Sequence, residues 1–294
     1  MRAFLRRAGA AGGPPGERWR VADFDYWRFH WLRNVVERGL DDLFCWETGD
    51  GELVSVLLRG DPGVCHLHVA PEARSAALEE EMIDTAEAAL AIAKDDGRML
   101  WVWADEDDAL RSGLLARRGY ETYMSDHAKQ HNRRHPLGDP LPEIRVPEGY
   151  AVRAMRPGDR PARSLASWRA FHPGEPDAGS DASGAWYRNV QSAPTYRSDL
   201  DCVVTARNAE IVSFATCYFD EGSREGVFVL VGTAAAHQRE GLATAAAAAV
   251  LRGLKRLGAR AAYVASVEPA AHAFYASVGF VECRRAQAWR KRLA

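Results

Sequence analysis

Residues 231–244 read Val231-Gly232-Thr233-Ala234-Ala235-Ala236-His237-Gln238-Arg239-Glu240-Gly241-Leu242-Ala243-Thr244. No other run in the chain carries as much chemical content. A strand ends, a short loop follows, and a long helix begins near Arg239. The first N–H groups of a helix lack internal acceptors, and the aligned peptide dipoles place partial positive charge there. Together they suit a phosphate or a diphosphate. Gly241 has no Cβ, so the backbone can come close to such an anion. Ala243 and Ala245 to Ala249 keep the helix slim against its neighbours. The Arg239 side chain could add charge to a phosphate or face solvent.

Downstream, Glu268-Pro269-Ala270-Ala271-His272-Ala273-Phe274-Tyr275-Ala276-Ser277-Val278-Gly279-Phe280 forms a short helix with Pro at its start and Gly after its end. Gln238-x-x-Gly241-x-Ala243 resembles the Q/R-x-x-G-x-G/A signature of the GCN5-related N-acetyltransferase (GNAT) superfamily. The downstream run resembles that superfamily's N-x-x-A-x-x-x-Y-x-x-x-G-F segment through Ala271, Tyr275, Gly279 and Phe280, with Glu268 where Asn is common. The resemblance implies acetyl-CoA as co-substrate and no metal. Backbone groups of Val231, Gly232 and Thr233 would meet the pantetheine arm, beside Phe274. N–H groups of Gln238, Arg239, Glu240, Gly241, Leu242, Ala243 and Thr244 would cradle the diphosphate. Tyr275 would aim its phenol at the sulfur and assist the departing thiolate. A phenol near pKa 10 is a weaker acid than a thiol near 8.5, so hydrogen bonding can contribute as much as proton transfer. A strand N–H near Val231 would meet the oxyanion. Many family members place a Glu base on the fourth strand, where this chain has Val229. Glu225, Asp220, Glu221 and His237 are nearby alternatives, as is a water chain, and His237 reads as exposed beside the loop.

These residues need a scaffold. In the second half, strands are expected at Tyr150–Met155, Asp201–Thr205, Ile211–Phe219, Val227–Gly232, Ala261–Val267 and Phe280–Trp289. Helices are expected at Pro161–Phe171, Ala182–Val190, Leu242–Leu257 and Pro269–Val278. The first half repeats the order: strands at Leu43–Trp46, Leu53–Leu58, Val64–Val69 and Met99–Ala104, and helices at Ala76–Ala93 and Asp107–Arg117. Three prolines in Pro136–Pro142 mark a linker. The expected fold is α/β, two tandem GNAT-like domains, each a mixed, mostly antiparallel sheet flanked by helices. The expected layout is a flexible tail over 1–18, a degenerate GNAT-like domain over 19–137, a linker over 138–148 and the working domain over 149–294. The tandem layout resembles that of mycothiol synthases.

The first half's counterpart of the phosphate loop is altered. Arg74 stands where Gln238 does, Ala77 where Gly241 does, and Glu79 where Ala243 does. Glu79, Glu80 and Glu81 would repel a diphosphate, and Leu115 falls at the position of Tyr275. This half is therefore expected to keep the fold without binding acetyl-CoA.

Lys plus Arg number 38 against 40 Asp plus Glu, for a net charge of -2, which gives no electrostatic footprint for nucleic acid or an anionic membrane. No apolar run approaches the roughly 18 residues of a membrane span. Five cysteines without a C-x-x-C pair point to reduced thiols in the cytoplasm. His127, His131 and His135 recur every four residues but lack an acidic or Cys partner nearby, so a polar surface segment is expected. Trp101 and Trp103 share one face of a strand and read as packing. Residues 172–201, with Trp186, Tyr187, Arg188, Tyr196 and Arg197, would border the acceptor cleft or form an ordinary surface. The leading expectation is acetylation of a small-molecule amine by a monomer or homodimer. Protein Lys or N-terminal acetylation, and an acyl-CoA sensor without turnover, are the alternatives.

Overall fold

A computed structural model of the chain describes residues 1–10, 19–37, 39–40, 42–95, 97–125, 127–138 and 140–294. Helices α1 (Arg2–Ala10) and α2 (Val21–Tyr26) come first, and α2 runs into a π-helix over Trp27–Val35. Strands β1 (Leu43–Glu47), β2 (Leu53–Arg59) and β3 (Val64–Val69) lead to helix α3 (Ala76–Ala89). Strands β4 (Ile92–Lys94) and β5 (Gly97–Asp105), helix α4 (Ala109–Arg117), and strands β6 (Glu121–Thr122) and β7 (Lys129–His135) complete the first half. The second half comprises β8 (Tyr150–Ala154), α5 (Arg160–Phe171), α6 (Ala185–Gln191), β9 (Tyr196–Ala206), β10 (Ile211–Asp220) and β11 (Glu225–Thr233). It ends with α7 (Leu242–Arg256), β12 (Ala261–Ser266), α8 (Pro269–Ser277) and β13 (Val281–Leu293).

Among the described residues the strands form one mixed sheet, in the order β1-β2-β3-β5-β13-β7-β12-β11-β10-β9-β8, with β4 beside β5 and β6 beside β13. Pairs β3–β5 and β11–β12 are parallel and the others antiparallel. Apolar side chains of α7 and α8, including Leu242, Val250, Leu254 and Tyr275, cover one face of the second half around Phe228 and Val264. Helices α5, α6 and α2 cover the other through Tyr187, Val190, Ala166 and Ala22 against Phe214 and Tyr218. A separate core under α3 and α4 gathers Leu67, Met82, Ile83, Leu100 and Leu114.

The sheet does not divide at the proline-rich stretch. Strand β7, from the first half, lies between β12 and β13 of the second. Strand β13 pairs with β7 over Val281–Gln287 and with β5 over Ala286–Leu293. Each half thus completes its sheet with a strand from the other. Residues 129–135 are not a surface segment either. Their backbone is paired on both edges, and three of their polar side chains find partners: His131 and Arg133 contact Glu282 at 2.5 and 3.5 Å, and His135 Nδ1 accepts from Leu137 N at 3.0 Å. Tertiary pairing overrides local strand preference here.

Two smaller corrections concern the first half. The helix predicted over Ala76–Ala93 ends at Ala89, and Ile92–Lys94 turns back to pair with β5. The expected flexible tail is helix α1 as far as Ala10, while residues 11–18 and Asp139 of the linker lie outside the described residues. Phe4 and Leu5 are buried against α2 and β2, Arg2 meets buried Asp25 at 2.7 Å, and Arg6 meets Asp220 at 2.6 Å. Because β7 and β13 are exchanged, residues 1–137 and 138–294 expressed separately should each leave open sheet edges and be recovered as aggregates. Co-expression of the two pieces should restore a soluble complex, which size-exclusion chromatography would reveal.

Candidate functional site

Strands β11 and β12 pair only over Glu225↔Ala261, Gly226↔Ala262 and Val227↔Tyr263. On its other edge β12 pairs with β7 over Ala262–Ser266, while β11 stays with β10 as far as Thr233. The two parallel strands therefore part, leaving one edge of β11 unpaired from Phe228 onward. A β-bulge sits at the fork: Thr216 opposes Leu230 and Cys217 opposes Phe228, so Val229 is the extra residue. Bulges re-aim local backbone groups and end regular pairing. Val231 and Thr233 continue along this edge. At Gly232 an added Cβ would lie 2.6 Å from Phe214 and 3.0 Å from Ala170, so the glycine there serves packing against α5.

The loop after β11 is closed by its own side chains. Gln238 Nε2 donates to Thr233 O at 3.2 Å, and the Tyr150 hydroxyl of β8 meets His237 Nδ1 at 2.9 Å. His237 is half-buried by this contact rather than exposed. Arg239 and Glu240 face solvent, and Arg239 has φ +69°. Gly241 is the residue that starts α7, with φ +77° and no side-chain cap. The first backbone bond closing the helix runs from Ala245 N to Gly241 O at 3.0 Å. The N–H groups of Leu242, Ala243 and Thr244 therefore have no intrahelical acceptor. A Cβ on Gly241 would meet no protein atom within 4 Å, so the space above these donors is open. A cavity of about 590 Å³ lies there, lined by Glu240, Gly241 and Thr244 and, on its far side, by Pro142, Arg145 and Pro147 of the linker. A diphosphate fits this arrangement: donors, dipole and unfilled space coincide. The linker's share of the wall was not visible in the sequence, since no local pattern brings residue 145 to residue 241.

Tyr275 is buried in α8, with ring centroids 5.0 Å from Phe274 and 5.6 Å from Phe280. Burial raises its pKa, so the phenol stays protonated. Its position relative to the fork shows through the other face of the sheet. The phenol of Tyr26 is pushed up by burial, with Arg163 opposing, and the nearby Tyr275 hydroxyl adds to the rise. The two side chains are thus close enough to interact electrostatically.

The alternative bases are engaged elsewhere. Glu225 sits between Arg20 at 3.7 Å and Arg260 at 3.6 Å. Asp220 is buried; desolvation would raise its carboxyl, but hydrogen bonds from Arg6 and Ser223 hold it below the usual range. Glu221 is exposed and 3.3 Å from Arg197. Asp220 and Glu221 lie at the opposite end of β11 from α7. Within 172–201, Tyr187 is buried and Tyr196 half-buried. Both donate to buried Asp201, at 2.6 and 2.9 Å. Trp186 instead lines a cavity of about 380 Å³ with His30, Ser167 and Leu230. Burial and the Arg163 charge push the pKa of His30 down to about 4, so it is neutral near pH 7.

The corresponding place in the first half is filled by the protein itself. Glu79, at the start of α3, is fully buried and accepts from Arg74 Nε at 2.6 Å and Arg111 Nε at 2.9 Å. Arg74 also reaches Asp108 at 2.5 Å. Ser75 caps the helix by accepting from Leu78 N at 3.3 Å. An internal carboxylate and a hydroxyl thus stand where the second half has open space, and Leu115, at the sequence position that corresponds to Tyr275, is part of the apolar core.

Among the described residues no three His, Cys, Asp or Glu side chains converge on a possible metal position. His127 pairs with Glu268 at 3.0 Å, and the His131 ring lies 3.9 Å from that of His272, tilted by 42°. No helix among them is long and apolar enough to cross a membrane.

Residues 165–280 match the model of the acetyltransferase (GNAT) family. The match spans the fork, the Gly241 loop and α8. The whole-chain fold is similar to a GCN5-related N-acetyltransferase from Sphaerobacter thermophilus, with 20% identity over 89% of this chain and 84% of that one and a TM-score of 0.65. It is also similar to a tandem GNAT protein from the clavulanic acid biosynthesis pathway, with 15% identity, coverage of 98% and 92%, and a TM-score of 0.64. A GNAT-family acetyltransferase from Colwellia psychrerythraea aligns over 100% of this chain and 94% of its own, with 11% identity and a TM-score of 0.59. No curated protein matches the sequence.

Proposed function

We propose that the second half transfers an acetyl group from acetyl-CoA directly to the amine of a small molecule, and that the first half has lost acetyl-CoA binding. The observation that carries this reading is the uncapped start of α7 at Gly241, opening on the same side of the fork as Tyr275. The diphosphate would take the free N–H groups of Leu242 to Thr244. Val231 to Thr233 would present the strand edge to the pantetheine arm, and Tyr275 would bring its phenol to the sulfur. Glu79 in its arginine clasp supports the loss of binding in the first half, since the anion position there is already neutralised.

Thiol release from acetyl-CoA in the presence of an amine panel tests the reading. Release that depends on the amine supports it; CoA binding without release with any amine would leave a sensor instead. A Gly241→Val variant adds a second arm. Valine at positive φ is strained by about 1–2 kcal/mol, and its side chain would occupy the space open to the diphosphate. Losing one hydrogen bond to a charged group costs about 1.5–3 kcal/mol. The KM for acetyl-CoA should therefore rise by roughly tenfold or more, with a smaller change in thermal stability.

A further inference from the structure

The fork has a second side, and the first half of the chain builds it. A cavity of about 400 Å³ is bounded on one wall by Val227 and Val229 of β11 and by Ala265 of β12, the two edges where those strands part. Its opposite wall comes from the N-terminal helices and from the first half's strands, with Trp19, Trp27, Trp31 and Trp103 facing inward. Tyr26 lines the same space.

The charges around the cavity have a definite sign. Arg20 lies over the Tyr263 ring at 3.3 Å and within 3.8 Å of Asp23 and 3.7 Å of Glu225. Arg284 is 3.4 Å from buried Asp105. Both cations of the lining are thus compensated by carboxylates. Asp61, on the exposed turn between β2 and β3, also lines the cavity. His66, with its ring 5.0 Å from that of Trp19, is the group facing Asp61 from β3. A carboxylate on an exposed turn, faced by His66 and sharing a cavity with several indoles, attracts an organic cation with a flat apolar body: the indoles contribute stacking and cation–π attraction, the carboxylate a charged partner.

We infer that this inter-half cavity is the acceptor pocket and that its occupant is a compact aralkylammonium ion, with the ring against the tryptophans and the ammonium held by Asp61. The inference rests on the acetyl-transfer reading for the direction from which the amine is presented, but the cavity's ligand preference stands by itself. The degenerate half would then be retained because it forms the wall that selects the acceptor.

The test measures binding of 2-phenylethylamine to the full chain by isothermal titration, without acetyl-CoA, beside 2-phenylethanol and n-butylamine. Wild type should bind the phenylethylamine at least tenfold more tightly than either comparator. Asp61→Asn and Trp103→Leu should each weaken that binding by tenfold or more while leaving the Kd for CoA unchanged. Equal binding of the three probes, no binding of phenylethylamine to wild type, or unchanged affinity in both variants overturns the inference. The comparator ligands settle the matter even if a variant does not fold. The two readings fail separately. Amine-dependent thiol release that is indifferent to Asp61 and Trp103 sinks this pocket and leaves acetyl transfer standing. Selective amine binding in a chain that binds no CoA does the reverse.

Discussion

Replacing Tyr275 by Phe is expected to lower kcat by about 10²-fold, the lower end of what positioned acid–base groups contribute, while the Kd for CoA changes by no more than about twofold. The substitution removes one hydroxyl and keeps the ring that packs between Phe274 and Phe280. It creates no cavity, and thermal stability should be nearly unchanged. The phenol's raised pKa decides how the effect arises. A buried phenol is a weaker acid than usual, and complete transfer of its proton to a thiolate is uphill by more than the free groups' difference of about 1.5 units. Its contribution is therefore a hydrogen bond to the sulfur as negative charge develops. Two consequences follow for the pH profile. The phenol stays protonated through the alkaline range, so a falling limb of kcat below about pH 10 does not come from it. That limb, if present, should persist in Tyr275→Phe. Equal kcat in wild type and variant would remove Tyr275 from the mechanism.

The largest expected effect on stability is at Glu79. Its carboxylate is fully buried between Arg74 and Arg111, and Arg111 is itself 1% exposed. Removing one partner of a buried pair leaves charge without its counterion and typically costs about 3–5 kcal/mol. Glu79→Ala should lose that much in urea-induced unfolding, a large share of a normal domain's stability of about 5–15 kcal/mol. Glu79→Gln, which keeps the size and one acceptor, should lose less. The pH dependence has a fixed sign. Burial would raise this carboxyl, but the Arg111 charge and the hydrogen bonds from Arg111 and Arg74 outweigh it and hold the pKa below the usual range. The contribution is then complete above the unfolded value of about 4.3. It disappears as pH falls through the lower, folded value. Acid unfolding followed by circular dichroism should be steeper in wild type than in Glu79→Gln. Emptying this clasp should not create a second acetyl-CoA site, because Ser75 still caps α3 and Leu115 still replaces the phenol. CoA stoichiometry should stay at one per chain.

Local chemistry was legible in the sequence. The strand-loop-helix at 231–244, the left-handed glycine at its centre, the helix carrying Tyr275, and the substitutions at Ala77, Glu79 and Leu115 all depend on residues near one another in the chain. Backbone preference and periodicity report such features directly. The second half's elements accordingly fall where those patterns place them, each within a few residues, Asp201–Thr205 within the longer β9. Arrangement between distant segments was decided only by the tertiary structure. Strand β7 is polar and reads as surface, yet its backbone is paired on both edges inside the sheet. Helix α1 begins with an arginine-rich run, yet Arg2 and Arg6 find Asp25 and Asp220. Glu79 was legible as a repulsive charge, but not as an anion held by Arg111, 32 residues away. The cavity behind the fork takes its walls from residues between Trp19 and Arg284. Periodicity encodes which face of an element is apolar, whereas hydrogen-bonded edges and ion pairs between remote residues leave no periodic trace.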